Sequence, residues 1–404
     1  MTDLKELLDG LADEAPRYDV LARVHDRKRR RVRTRRLAGV GAVAVLAVAG
    51  VQVLGLPHLA PSADHTGGLP NRLGGCEAQR LPVPGGATHG SMVTAGDPTG
   101  RHLAGKKLGD HGHDRLLIWD DGLPREVAVD GEVPFFNDIT TSGVAVATSI
   151  IGDRLASWIY RDGALVRLPG TNARAQVVND SGAVAGTQDE RPVVWRDPAQ
   201  PPTALAIPAG ATGFVADIGP DGTVAGGITD ARGSHPYQWR PDGTGEELQM
   251  PDVLAGQKIV GIRVSVLSGD WIIGGVVAEV EGRTTVLGVR WSRTTGQSSW
   301  WHSPELPHVY GGGGVGAGTL ESDDGPRPEP GEREYAQSSN AFRVSGDGST
   351  RMLPTASGAV LVRGQPAAGF SAISDDGTVI AGHQMFARPG SQDLIPGAVR
   401  WLCR

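Results

Sequence analysis

One turn recurs along this chain of 404 residues, and it constrains the fold more than any other feature. Residues 177–186 read VVNDSGAVAG, 215–227 read VADIGPDGTVAGG, and 372–382 read AISDDGTVIAG. Looser copies stand at 136–147 (FNDITTSGVAVA) and 96–105 (GDPTGRHLAG). After each turn comes a short apolar run, a variable loop, and a strand ending in an aromatic residue. Those residues are Trp119, Trp158, Trp195, Trp239, Trp291, Phe342 and Trp401. A second turn follows, often Asp-Gly, as in WDDG (119–122), YRDG (160–163) and WRPDG (239–243). A fourth strand then closes on a Leu-Pro-like ending: VRLPG (166–170), LAIPAG (205–210), ELQMPD (247–252) and RMLPT (351–355). Four short strands repeating every ~40–50 residues are the signature of propeller blades. Asp-Gly and Ser-Gly suit the hairpins because glycine accepts positive φ at little cost. The Asp and Asn residues of the turns are therefore read as turn formers.

The aromatic strands predict an all-β fold, a seven-bladed β-propeller, with the sixth blade diverged around YGGGGVGAG (310–318) and Phe342. The seventh blade runs out of chain after AVRWLCR (398–404), so it lacks a fourth strand. CEAQRLPVP (76–84) carries the same Leu-Pro ending ahead of the first blade and supplies that strand. Closing the ring by pairing the termini leaves no bare sheet edge there. The two cysteines of the chain, Cys76 and Cys403, then face each other across the last hairpin. A disulfide between them implies an oxidising compartment.

The N-terminal part reads differently. RKRRRVRTRR (27–36) runs directly into LAGVGAVAVLAVAGVQVLGL (37–56), a stretch without charge. About 20 apolar residues match the bilayer core, and the basic flank places the N-terminus in the cytoplasm. The expected organisation is a cytoplasmic segment (1–36), a transmembrane helix (37–56), a Pro/Gly-rich linker (57–75) and an extracytoplasmic propeller (76–404). An uncleaved anchor is preferred to a secretory signal, because 36 residues make a long n-region. In residues 1–26, Leu4, Leu7, Leu8 and Leu11 share one helical face, ahead of Tyr18, Leu21 and Val24. So short a segment lies on the membrane or docks on a partner.

The turn and the aromatic strand resemble the HAF-type extracellular repeats of bacterial proteins, a β-propeller-like family with an I-N-D-x-G-x-V-x-G core. The matching residues are Val178, Asn179, Asp180, Gly182, Val184 and Gly186. They recur as Ile373, Ser374, Asp375, Gly377, Val379 and, with a one-residue shift at the end, Gly382. The resemblance implies fold and export, and no activity. The first fifty residues also resemble certain actinobacterial membrane proteins, some from extracytoplasmic sigma-factor systems. That likeness makes a sigma factor a candidate partner at residues 1–26. It departs from zinc-binding anti-sigma domains, because no cysteine precedes Cys76.

Charge narrows the partners. The net charge of −6 divides into +4 over residues 1–36 and −10 over the rest, an acidic body unsuited to nucleic-acid phosphates. No HExxH, GxSxG or Cys-x-x-Cys motif is present, and no cofactor is expected. GRHLAGKK (100–107) fits GxxxxGK, but it falls on a hairpin with no helix to follow. DHGHD (110–114) offers His111, His113 and Asp114, a weak metal signal without partners. The loops between second and third strands share one rim, where binding usually resides. Besides those three residues, the candidates there are Asp189, Arg191, Asp230, Arg232 and His235. The long acidic, proline-rich loop 321–335 adds Asp323, Asp324, Arg333 and Tyr335. The expectation is a non-enzymatic, membrane-anchored module that binds an envelope protein or glycan. The alternatives are a transmembrane regulator with the propeller as sensor, and a hydrolase or lyase using carboxylates in the propeller channel.

Overall fold

The computed structural model describes residues 75–404 except 87, 111–112, 281, 304–306, 322–338, 345–349, 363–364, 367 and 392. The anchor, linker and cytoplasmic segment expected at 1–74 lie outside the described residues. Among the described residues, no helix is long and apolar enough to cross a membrane.

The described chain is a β-propeller. Six four-stranded antiparallel meanders follow one another: sheet one at 91–127, two at 132–167, three at 173–204, four at 212–247, five at 258–302 and six at 309–352. Sheet seven takes three strands from 368–403 and its outermost strand, Cys76–Arg80, from the other end of the described chain. The first strand of each sheet packs beside the first strand of the next, and that of sheet seven returns to sheet one. A two-residue hairpin, Leu361–Val362 with Gln365–Pro366, is inserted before sheet seven.

Local chemistry explains the meanders. Strand sequences such as RLLIWD (Arg115–Asp120) are apolar between their exposed charged ends because sheets stacked face to face bury both sides. The hairpin after Asp120 turns on Asp121 and Gly122, with φ of 49° and 83°, the left-handed pair that a two-residue turn demands. The last glycine of the repeated motif has a separate cause. Six of the first hairpins contain a register shift near the end of the innermost strand. In five of these, a glycine on the second strand faces the residue just before the shift: Gly105, Gly186, Gly226, Gly274 and Gly382. A Cβ on Gly186 would stand 1.9 Å from the Arg174 carbonyl oxygen, so only glycine fits.

The aromatic strands hold neighbouring sheets together. Trp119, Trp195, Trp239, Trp291 and Trp401 are fully buried. Each indole Nε1 donates to a carbonyl at the Leu-Pro-like ending of the preceding sheet. Trp119 reaches Pro82 (2.7 Å), Trp195 Pro169 (2.7 Å), Trp239 Ala206 (2.7 Å), Trp291 Gln249 (2.9 Å) and Trp401 Pro354 (2.8 Å). Tryptophan and Leu-Pro are thus two halves of one contact.

Two aromatic assignments need correction. In sheet three Val178, Val184 and Trp195 align across the strands, and in sheet two the aligned set is Ile139, Ala145 and Tyr160. Tyr160, not Trp158, therefore holds the tryptophan register. Its hydroxyl meets Arg125 of sheet one, and Trp158 Nε1 bonds Ser149 inside its own sheet (2.9 Å). In sheet six the set is Tyr310, Gly316 and Val344, so Phe342 stands two residues early. A shift of two preserves the side-chain face, which is why aromatic spacing alone concealed it.

The expected closure is present. Cys76 to Arg80 pair antiparallel with Cys403 to Val399, and a disulfide joins Cys76 to Cys403 across 327 residues of chain.

Candidate functional site

The described rim residues do not all converge on one centre. His111, Asp323, Asp324, Arg333 and Tyr335 lie outside the described residues. Asp114 is largely buried and bonds the Lys106 ammonium at 2.8 Å, while its other oxygen accepts the Gly109 N–H at 3.1 Å. That carboxylate shapes its loop, and exposed His113 bonds Asp110 through its backbone only. Asp189 and Glu190 form the two-residue turn before Arg191, with φ of 49° and 62°. Their spacing serves a hairpin.

Asp230, Arg232 and His235 do meet, in sheet four, and Glu247 of the outermost strand completes the group. Arg232 donates to Asp230 Oδ2 (3.0 Å) and Glu247 Oε2 (2.9 Å). The His235 ring places Nε2 3.1 Å from Asp230 and Nδ1 3.0 Å from Glu247. Burial pushes the Asp230 carboxyl up, but the hydrogen bonds from Arg232 and His235 outweigh it and bring it down to about 2. Glu247 escaped the sequence reading because the outer strand, not the loop, delivers it. Among the described residues, no group of three or more His, Cys, Asp or Glu side chains is placed to hold a metal ion.

A second group lies on the inner wall. Asp138 and Asp217 each stand next to last on the innermost strands Glu132–Ile139 and Thr212–Ile218. Asp138 accepts the N–H of Ile139 (2.9 Å) and reaches across to the N–H of Val178 in sheet three (2.8 Å). Asp217 repeats the arrangement with Ile218 (2.7 Å) and Leu267 of sheet five (2.6 Å). Asp375 of sheet seven accepts the Gly312 N–H at 2.9 Å and faces Ser268 Oγ at 3.3 Å. Burial pushes the Asp138 carboxyl well up, and the charge of Asp217 adds to it. Burial likewise takes Asp217 to about 6 against its two N–H donors, with the charge of Asp375 adding to the rise. Asp375 is also raised, chiefly by burial. Carboxylates from sheets two, four and seven feel one another because the innermost strands converge. The repeated Asp-Ile dipeptides at 138–139 and 217–218 were the only sequence signal for this group.

The turns themselves are connectors. Asn179 Nδ2 donates to Gly219 O in the turn of sheet four (2.8 Å). Asp180 accepts from Thr141 Oγ1 (2.7 Å) and from the Ser142 N–H (3.0 Å) in the turn of sheet two. A cleft of about 660 Å³ between sheets two and three is lined by Ile159, Arg161, Val166, Pro169 and Pro198.

No family model matches the chain, and no curated protein matches it. Solved structures do. A virginiamycin B lyase from Staphylococcus aureus with quinupristin shares 14% identity at a TM-score of 0.49, covering 81% of this chain and 99% of that one. A putative TolB from Agrobacterium tumefaciens shares 14% identity at a TM-score of 0.37, over 57% of this chain and 88% of that one. YCF48 bound to D1 peptide shares 14% identity at a TM-score of 0.41, over 81% and 96%. No residue role is carried over from any of them.

Proposed function

We propose that this chain is a membrane-anchored, extracytoplasmic binding module of the bacterial cell envelope, whose seven sheets are the seven blades of one closed ring. The observation that carries the reading is the Cys76–Cys403 disulfide, which fastens the strand entering the ring to the strand leaving it. A bond of this kind persists in an oxidising compartment, and the basic flank and apolar stretch at 27–56 supply a route there. Binding is favoured over catalysis because the inner-wall carboxylates are occupied with backbone N–H groups and so act as ties between sheets. The partner is an envelope protein or glycan engaged by the rim, where Asp230, Arg232, His235 and Glu247 form a held, charged surface.

Topology is tested first, with C-terminal alkaline phosphatase and green fluorescent protein fused to the full chain. An active phosphatase and a dark fluorescent fusion are expected. The reverse pair would remove the envelope from the account. Crosslinking in intact cells, with and without residues 1–26, then separates the roles. The same envelope partners in both mean that the N-terminus only anchors. A cytoplasmic sigma factor captured solely by the full chain would make the protein a transmembrane regulator.

A further inference from the structure

The outermost strand of each sheet is an open edge, and the seven edges are not alike. One register position can be compared on all of them, opposite the residue just before the tryptophan register. From sheet one to sheet seven it holds Arg125, Val166, Thr203, Glu246, Ser299, Arg351 and Gln79. Polar side chains there suit an edge that must stay unpaired in water. Sheet two breaks the pattern with a valine that is 58% exposed. Arg125, its counterpart in sheet one, reaches across to Tyr160 of the next sheet, whereas Val166 opens onto the cleft of about 660 Å³.

That cleft has a reason to be open. At the next seam Arg196 donates to the Pro241 carbonyl (2.8 Å), and the Ala206 N–H donates to the Gly243 carbonyl (3.0 Å). Arg161 follows Tyr160 as Arg196 follows Trp195, but it reaches the Ser181 carbonyl at 3.5 Å and leaves the hairpin of sheet three untouched. This hairpin is long, residues 196–202, and its prolines at 198, 201 and 202 have no N–H to close on sheet two. Ile159, Pro169 and Pro198 give the cleft apolar walls beside Val166, and Arg161 and Arg167 bring two cations to it. Among the described residues neither guanidinium has an ion pair. On a body that carries −10 after residue 36, this is a local site for an anionic, partly apolar ligand.

The backbone adds a direction. The Leu168 N–H donates to the Ser157 carbonyl at 2.8 Å, and two residues back along the ladder Val166 stands opposite Ile159. Hydrogen-bonded pairs alternate along an antiparallel pair, so the N–H and C=O groups of Leu165 and Arg167 point out of the sheet on either side of Val166.

We propose that this edge and cleft dock an extended, acidic segment of an envelope protein, which adds a fifth strand to sheet two beside Ala164–Arg167. Main-chain bonds to Leu165 and Arg167 align the segment. An apolar side chain covers Val166, and an acidic one pairs with Arg161. The hairpins between third and fourth strands leave each sheet at the end opposite the rim, so this site is separate from Asp230, Arg232 and His235. Assigning the partner to the envelope rests on the reading above. The test uses purified protein and is decided independently of where the chain resides.

The probes are a fluorescein-labelled heptapeptide, Thr-Val-Glu-Val-Glu-Val-Thr, and its counterpart with lysine at both glutamates, read by fluorescence anisotropy on the oxidised full chain. The acidic peptide is expected to bind at least about tenfold more tightly than the lysine peptide. Val166→Arg, which installs the residue that sheet one carries at this register, should weaken the acidic peptide about tenfold or more. Arg161→Gln should weaken it several-fold and shrink the preference for acid over lysine. Leu123→Ser, at another exposed apolar residue on the edge of sheet one, should leave binding unchanged. Equal affinity for the two peptides, or no binding of either at about 1 mM, would overturn the proposal. So would full binding by Val166→Arg, or an equal loss in Leu123→Ser, because the peptide would then be adhering to apolar surface at large.

Discussion

Single residues in this protein mostly serve to tie one sheet to the next, and the inner-wall aspartates do so at an electrostatic cost. Asp217 has its folded value raised from 3.8 to about 6. Its contribution to stability is therefore fully present below pH 3.8 and is lost as the pH rises through about 6, opposite to a salt-bridged carboxylate. The wild type should gain about 2 kcal/mol relative to Asp217→Asn between pH 7 and pH 4, read as the difference in urea midpoints. Parallel pH profiles for the two proteins would show that Asp217 titrates normally. Sequence offered only the Asp-Ile dipeptides for these carboxylates, since residues from sheets two, four and seven meet only once the ring has formed. Gly186 makes a second point at this scale. Gly186→Ala should cost about 3 kcal/mol because the Arg174 carbonyl cannot retreat from a strand in register. Gly261→Ala, with nothing within 4 Å of the added carbon, should stay within about 0.5 kcal/mol by the same denaturation measurement.

Among the elements, the repeat was read correctly as a four-strand meander, while its register was not. Turn chemistry at Asp121–Gly122 and Asp162–Gly163 marks where a hairpin bends. It does not say which of Trp158 and Tyr160 stands opposite Ala145, because both lie on the same face of the strand. The Leu-Pro endings were visible as a pattern, and their cause was not. The Pro169 and Pro354 carbonyls accept indole bonds from sheets that begin several residues later. Removing one such bond should be felt as the loss of a buried acceptor's partner. Trp195→Phe is expected to destabilise the protein by about 1–3 kcal/mol in urea unfolding. A cost no larger than that of Trp300→Phe, a partly exposed ring outside the indole-to-carbonyl set, would deny these bonds their part in joining the sheets.

For the whole molecule, the rim was the weakest part of the sequence reading. Loop composition marked Asp114 and Asp189 as available, whereas Asp114 is spent on Lys106 and Asp189 on a left-handed turn. Among the described residues, only Asp230, Arg232 and His235 came together, through Glu247. Ring closure was legible because it rests on few facts, an unfinished last sheet, a spare first strand and two cysteines. Linking residues so far apart restricts the unfolded chain strongly, by about 6 kcal/mol on loop entropy. Reduction should therefore lower the thermal midpoint by several degrees and release Cys76–Arg80 to proteolysis before the other strands. The most direct measurement of the account is non-reducing peptide mapping of the full chain isolated from its own cells, with free thiols alkylated at lysis. A single peptide pair joined through Cys76 and Cys403 is the predicted result. Both cysteines alkylated in the native protein would contradict the clasped ring and, with it, the case for an oxidising compartment.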